Sequence, residues 1–403
     1  MIGITGKQMN ALSENHCPLC GSKQLKVFFE MTDVPVHCNV LWPSRDTALN
    51  CPKGDIKLAF CPDCSFITNM MFDPNRLEYT KEYENSLHFS PRFQNYAQSL
   101  AERLVERYNL HEKNIIEIGC GDGYFLTLLC KLGNNWGIGF DPAHIEHKKD
   151  VALNNRVKFI IDYYEEDYKT YKANLVVCRQ TLEHIYNPKR FLKMLRRTIG
   201  SRMDTHVFFE VPNAQKIFHD LSIWNIIYEH CSYFTSISLT HTFSYSGFRV
   251  SELAKDYDDQ YLCIHATPDD QHLPYFDTGD STEIDRITSD IESFTANYRN
   301  KIEMWRYNLE QIKKKGQLAV VWGGGSKGVT FLNIFKDSAI EYVVDINPYK
   351  LGKYISGTGQ RIVKPKSLLD YQPDIIIVMN PIYLYETRQI INKLKLTSQL
   401  ISA

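Results

Sequence analysis

The chain has 403 residues, 43% of them hydrophobic and 23% charged, with a formal net charge of −1. That length gives two or three domains, and the composition excludes a disordered or fibrous chain. A near-neutral balance provides no global field for nucleic acid or an anionic membrane surface.

Residues 1–7 lack the apolar core of a signal peptide, and no uninterrupted apolar stretch is long enough for a membrane span. Eleven cysteines scattered through a long chain suit a reducing cytoplasm, with thiols and a metal site rather than a disulfide frame. Cys17-x-x-Cys20 and Cys61-x-x-Cys64 are two knuckles, each flanked by turn-forming residues. Two such turns aim four thiolates at one ion and leave no open position, so a zinc held there is structural. The wide gap between the pairs requires a small β-subdomain, over roughly residues 1–70. Lys23, Lys26 and Lys57 are too few to make it a nucleic-acid ribbon, and Cys38 and Cys51 read as free thiols.

Residues 71–270 form the next expected unit. Ser90-Pro91 opens a helix, since Ser caps well and Pro fits the first helical position. Phe93, Tyr96, Leu100, Leu104 and Tyr108 give it one apolar face. Strands are expected at 115–118, 136–140, 157–161, 175–178 and 206–211, separated by helical stretches. That rhythm implies an α/β fold with a mostly parallel sheet. Residues 268–280 are polar with Pro and Gly, a boundary. From there residues 271–403 bring a long amphipathic helix. Ile284, Ile287, Ile291, Phe294, Tyr298, Ile302, Trp305, Leu309 and Ile312 stripe it as a core-facing surface, and Gly316 can close it. Strands at 319–322, 342–345 and 375–379 make a second, smaller Rossmann-like unit.

Between the first strand of the central unit and its helix stands Glu117-Ile118-Gly119-Cys120-Gly121-Asp122-Gly123. Glycine permits close approach of backbone to a ligand. An acid at the strand end suits a positively charged amino group rather than a pyrophosphate. Asp141 closes the second strand, where an acid commonly takes ribose hydroxyls. The turn resembles the S-adenosylmethionine (SAM) motif of class I methyltransferases. On that likeness Glu117, Gly119 and Gly121 hold the amino-acid tail, Asp141 the ribose, and Pro142 the adenine. Asp162, with Tyr163, either borders the adenine or is a solvated turn acid.

After the fourth strand, Gln180 is expected to face the donor, and His184 either the acceptor or the core. Tyr228-Glu229-His230 is a second cluster, where an acid beside an imidazole suits proton abstraction or a buried structural pair. Gly323-Gly324-Gly325-Ser326-Lys327-Gly328 either cradles phosphates, with Lys327 assisting, or is a packing turn.

Taken together, the zinc pairs, the glycine turn and the tail 344–358 resemble the SAM-dependent sugar C-methyltransferases that act on nucleotide-linked keto-deoxysugars. The likeness runs nearly end to end. It implies a small N-terminal zinc module, a central class I (Rossmann-like) methyltransferase domain and a C-terminal Rossmann-like α/β domain that binds the acceptor. It further implies an enolate mechanism. His230 is the base, Glu229 its partner or the alternative base, and His184 or a tyrosine the oxyanion donor, with Tyr79 and Tyr83 lining the acceptor pocket. In the family a Tyr-His dipeptide precedes the Glu-His pair; here Ile227-Tyr228 stands there. Tyr228 either takes that role or points elsewhere, which leaves as the alternative an O-methyltransferase on a nucleotide sugar or a surface-polysaccharide precursor. The implied partners are SAM, zinc and a nucleotide sugar, without nucleic acid or membrane, in a monomer or weak homo-oligomer.

Overall fold

The computed structural model describes residues 16–77, 79, 81–145, 155–270 and 281–403. Residues 1–7 and most of the boundary at 268–280 therefore lie outside the described residues.

In chain order the N-terminal part contains β1 (Lys26–Pro35), α1 (Arg45–Leu49), β2 (Lys53–Phe60) and β3 (Ile67–Asn69). The central part follows with α2 (Pro91–Arg107), β4 (Asn114–Ile118), α3 (Tyr124–Gly133), β5 (Trp136–Phe140), β6 (Val157–Ile160), β7 (Leu175–Arg179), α4 (Pro188–Ile199), β8 (His206–Pro212), α5 (Ala214–His219), β9 (Ser232–Tyr233), α6 (Ser236–Ser244), β10 (Phe248–Asp256) and β11 (Tyr261–Pro268). The C-terminal part comprises α7 (Ser281–Lys314), β12 (Ala319–Trp322), α8 (Ser326–Ile334), β13 (Tyr342–Val344), β14 (Arg361–Val363), α9 (Leu368–Tyr371), β15 (Ile375–Val378), α10 (Leu384–Lys393) and β16 (Gln399–Ser402).

The described residues form three sheets. The central one runs β10-β11-β8-β7-β4-β5-β6, parallel from β8 to β6 and closed at one edge by the antiparallel β11 and β10. The C-terminal sheet runs β14-β13-β12-β15-β16, parallel throughout. In each the chain moves one way from a middle strand and later returns to its other side. Crevices at such reversals, beyond the strand C-termini, are where ligands bind in open α/β sheets. Here they fall at β4/β7 and β12/β15.

Helix α2 begins where Ser90 accepts the Phe93 N–H, with Pro91 first in the helix, and it buries Phe93, Tyr96, Leu100 and Leu104. The stripe of α7 is buried at Ile287, Ile291, Phe294, Trp305, Leu309 and Ile312. Phe294 meets Phe29 of β1 edge-on, with centroids 5.7 Å apart. That core joins the N-terminal sheet, the 214–233 segment and the C-terminal sheet.

The parts are more interwoven than three consecutive units. The N-terminal sheet runs β1-β2-β3-β9, so its last strand comes from the central part, with Ile67 opposite Tyr233. Trp42 pairs with Tyr354 through the backbone, and its indole N–H donates to Ser356. Cys17, Leu19, Cys61, Cys64 and Phe66 pack into the core of the central sheet.

Candidate active site

The four knuckle cysteines converge. Cys17 and Cys64 sulfurs lie 3.6 Å apart, as do those of Cys20 and Cys61, and all four lie within 4.8 Å of one another. Tetrahedral zinc–thiolate bonds of about 2.3 Å need spacings of this order, so the donor set fits a structural zinc. Lys189 on α4 donates to the Leu19 carbonyl and docks the knuckle on the central part. Cys38 and Cys51 are buried thiols outside this set.

A cavity of about 480 Å³ opens at the β4/β7 crevice, lined by Glu117, Gly119, Gly121, Asp141, Pro142, Asp162, Tyr163 and Gln180. Gly119 holds φ 71°, and a Cβ there would strike the Thr181 side chain at 2.0 Å. Gly121 holds φ 55° with nothing within 4 Å of its Cβ position, so its side is open for a ligand. Asp141 accepts the Gly121 N–H at 2.8 Å and the Ala143 N–H at 2.8 Å. Burial raises its carboxyl above the ordinary value, and those two bonds oppose the rise. Glu117 is fully buried, and its Oε2 has no hydrogen-bond partner among the described residues. Burial pushes its carboxyl up to about 8, eased by Arg179. A buried acid with one carboxylate oxygen unpaired among the described residues is suited to an ammonium group, so this lining fits the amino-acid and ribose parts of SAM. Asp162 is exposed at the rim and accepts the Tyr163 N–H at 2.8 Å. Gln180 takes φ 51°, held by its N–H to the Glu210 carbonyl and its Nε2 to Glu210 Oε1 at 2.9 Å.

A second cavity, of about 710 Å³, lies between this crevice and the one at β12/β15. His230, Glu183, Lys216, Lys301, Lys327 and Lys350 line it, with Gly323 and Gly325 at the start of α8. The two cavities share Tyr83, Gln180 and His184. The Tyr79 hydroxyl pairs with His184 Nδ1 at 2.9 Å, and the His184 and His230 ring centroids are 4.8 Å apart. Burial holds both imidazoles below their usual pKa, His230 the further because His184 adds to it. Burial likewise lowers the Lys327 ammonium to about 8, with Lys216 contributing.

The loop before β9 reaches this place because β9 hangs from the edge of β3. The Cys231 N–H also donates to the Glu183 carbonyl at 3.0 Å. Its three ionisable side chains diverge. Only His230 faces the cavity. Tyr228 is buried against Gly54, its hydroxyl accepts the Asp73 N–H at 2.9 Å, and it lines neither cavity, so it points away from His230. Glu229 also lines neither cavity and is not the partner of His230. Its Oε2 accepts the Cys38 N–H at 3.0 Å and its Oε1 lies 3.5 Å from His37 Nδ1. Burial alone would raise this carboxyl, but His37 and the other neighbours hold it below the ordinary value, so it stays ionised. The expectation that Glu229 assists or replaces His230 is corrected accordingly: successive residues in this loop point apart.

Sequence reasoning passed over Glu183, His37, Lys216, Lys301 and Lys350. Glu183 had a visible signal, an acid directly before His184 after a buried strand. The lysines are separated by whole elements and had none.

Residues 91–253 match a family model described as a methyltransferase domain, and residues 280–399 one described as a C-methyltransferase C-terminal domain. Over 106 residues the chain is 29% identical to the mitochondrial ubiquinone biosynthesis O-methyltransferase of Schizosaccharomyces pombe, covering 25% of this chain and 39% of that protein. It is 27% identical over 97 residues to the tRNA U34 carboxymethyltransferase of Campylobacter fetus, covering 23% of this chain and 34% of that one. The chain thus spans between 31% and 39% of the length of the curated relatives it matches. Among solved structures, magnesium protoporphyrin IX methyltransferase of Synechocystis PCC 6803 aligns with TM-score 0.34 and 15% identity, over 44% of this chain and 83% of that one. No helix among the described residues is long and apolar enough to cross a membrane. The two family models, each covering less than half of the chain, thus match in series, the methyltransferase domain on the seven-stranded sheet and the C-methyltransferase C-terminal domain on the five-stranded one.

Proposed function

We propose that the protein transfers the methyl group of SAM to a carbon of a nucleoside-diphosphate-linked keto-deoxysugar. One observation carries the reading: a cavity lined by the glycine turn and Asp141 and a lysine-lined cavity meet at Tyr83, Gln180 and His184, with His230 just beyond. A diphosphate suits the second cavity. Four lysines line it, and Gly325 caps α8 without a side-chain bond, leaving backbone N–H groups of the first turn for an anion. An anion there also relieves the buried Lys327 ammonium.

The sugar ring then lies toward His184 and His230. SAM supplies an electrophilic methyl group. The chain's own residues orient the acceptor, exclude water and move the proton. His230, kept neutral by its surroundings, takes the proton α to the carbonyl. Tyr79, fixed on His184, and Tyr83, backed by the Glu229 carboxylate, wall the reacting centre.

Solvent deuterium tests the reading. With a thymidine-diphosphate-linked 4-keto-6-deoxyhexose as probe and no SAM, label enters the sugar if carbon is the nucleophile. Methyl transfer without wash-in would favour oxygen. The match of residues 280–399 to a C-methyltransferase domain favours carbon.

A further inference from the structure

Glu183 is only 2% exposed, yet it lines the acceptor cavity. Neither of its carboxylate oxygens has a hydrogen-bond partner among the described residues, and neither does His230 Nδ1. Ring nitrogens of His184 and His230 and a carboxylate oxygen of Glu183 all lie within 4.8 Å of one another. The pocket thus holds a buried acid and a buried base that face one space without bonding across it. Unpaired buried polar groups are costly, so each calls for an explanation, and a catalytic role is one.

We propose that Glu183 is the general acid of the enolisation step, donating a proton to the acceptor's carbonyl oxygen while His230 removes the α-proton. The inference rests on the carbon-methylation reading above. The protons balance. The α C–H proton passes to a ring nitrogen of His230, and the Glu183 carboxyl proton passes to the carbonyl oxygen, giving the enol. The enol carbon then attacks the sulfonium methyl, and the C–S electron pair stays on sulfur as a neutral thioether. The enol O–H proton returns to Glu183, and His230 releases its proton to solvent.

Burial supports the assignment. It pushes the Glu183 carboxyl up to about 8, with Glu210 contributing, so the acid carries its proton near neutrality. The titratable groups around it are His184 and His230, both held below their usual pKa, Glu210, Tyr261, and the thiols of Cys178 and Cys231, the latter donating to the Glu183 backbone carbonyl. A neutral acid beside a neutral base is the pairing that moves a proton across a C–H and a C=O at once.

The test is deuterium wash-in to the same keto-hexose without SAM, in the wild-type enzyme, in Glu183→Gln and in Glu183→Asp. Wash-in by Glu183→Gln should fall by about 100-fold or more, the usual share of a general acid. Affinity for S-adenosylhomocysteine should be unchanged, which also certifies the fold. Glu183→Asp should recover part of the exchange. With saturating keto-hexose, whose diphosphate keeps Lys327 charged, wild-type wash-in should decline as pH rises through about 8, and Glu183→Gln should lack that decline. Wild-type exchange with Glu183→Gln within about three-fold of it would overturn the assignment alone. So would a second metal ion per chain, beyond the cysteine site, whose removal stops exchange. A wild type that methylates without wash-in would instead overturn the carbon reading beneath it.

Discussion

Asp141 accepts the backbone N–H of Gly121 at 2.8 Å, which ties the acid at the tip of β5 to the glycine turn that follows β4. The C-terminal unit repeats the device. Asp345, after β13, accepts the Gly324 N–H at 2.8 Å. Each acid fixes the mouth of one crevice, and the two mouths face the connected cavities.

Replacing Asp141 by Ala removes the expected ribose acceptor and the clamp on the turn together. A hydrogen bond to a charged group contributes about 1.5–3 kcal/mol, so affinity for S-adenosylhomocysteine should fall roughly 10- to 100-fold by calorimetry. Unchanged affinity would place the ribose elsewhere.

With Glu117 in the proposed donor site, donor binding should depend on pH. Its carboxyl is raised to about 8 in the free protein, so it is largely protonated at pH 7. An ammonium partner favours the ionised form, so binding releases a proton. Affinity for SAM should therefore tighten as pH rises from 6 to about 8 and then level off. Calorimetry in buffers of different ionisation enthalpy measures the proton release. Release of no proton at pH 7 would separate Glu117 from the donor's amino group.

His230 and Glu229 are neighbours with different expected phenotypes. His230→Asn should abolish turnover while leaving SAM affinity within about three-fold, because His230 lines the lysine-lined cavity and not the one at the glycine turn. Glu229→Ala should chiefly lower the melting temperature. It strips the Cys38 N–H and His37 of a buried partner, at a cost of about 1–3 kcal/mol. Loss of SAM binding in His230→Asn would move that residue to the donor side.

Chelation of zinc should lower the melting temperature and release about one metal per chain, since structural zinc binding is coupled to folding. The knuckle packs into the core beneath α4, so the loss should spread to the central part. An unchanged melting temperature would remove the metal from the cysteine site.

Much of this was legible in the sequence because it is local. The Ser90-Pro91 helix start, the acid-tipped glycine turn, the paired cysteines and the α7 stripe each occupy one short window. What was not legible depends on segments far apart in the chain. Nothing in Ser232-Tyr233 announces that it pairs with β3, yet that pairing carries His230 into the cavity. His37 stands alone between the cysteine pairs, and only the fold brings it to Glu229. The strand at 361–363 and the one at 399–402 are short edges without a distinctive pattern, and they were not anticipated. Glu183 was visible as a letter, but the burial of its carboxylate without a hydrogen-bond partner among the described residues is a property of the folded state.

The central claim is tested most directly by tracing the methyl group. The enzyme is given SAM labelled with carbon-13 in its methyl and a thymidine-diphosphate-linked 4-keto-6-deoxyhexose, and the product is read by NMR. The account predicts a new C-methyl signal correlated to a ring carbon adjacent to the carbonyl. A methoxy signal, or label left wholly on SAM across such keto-sugars, would contradict it.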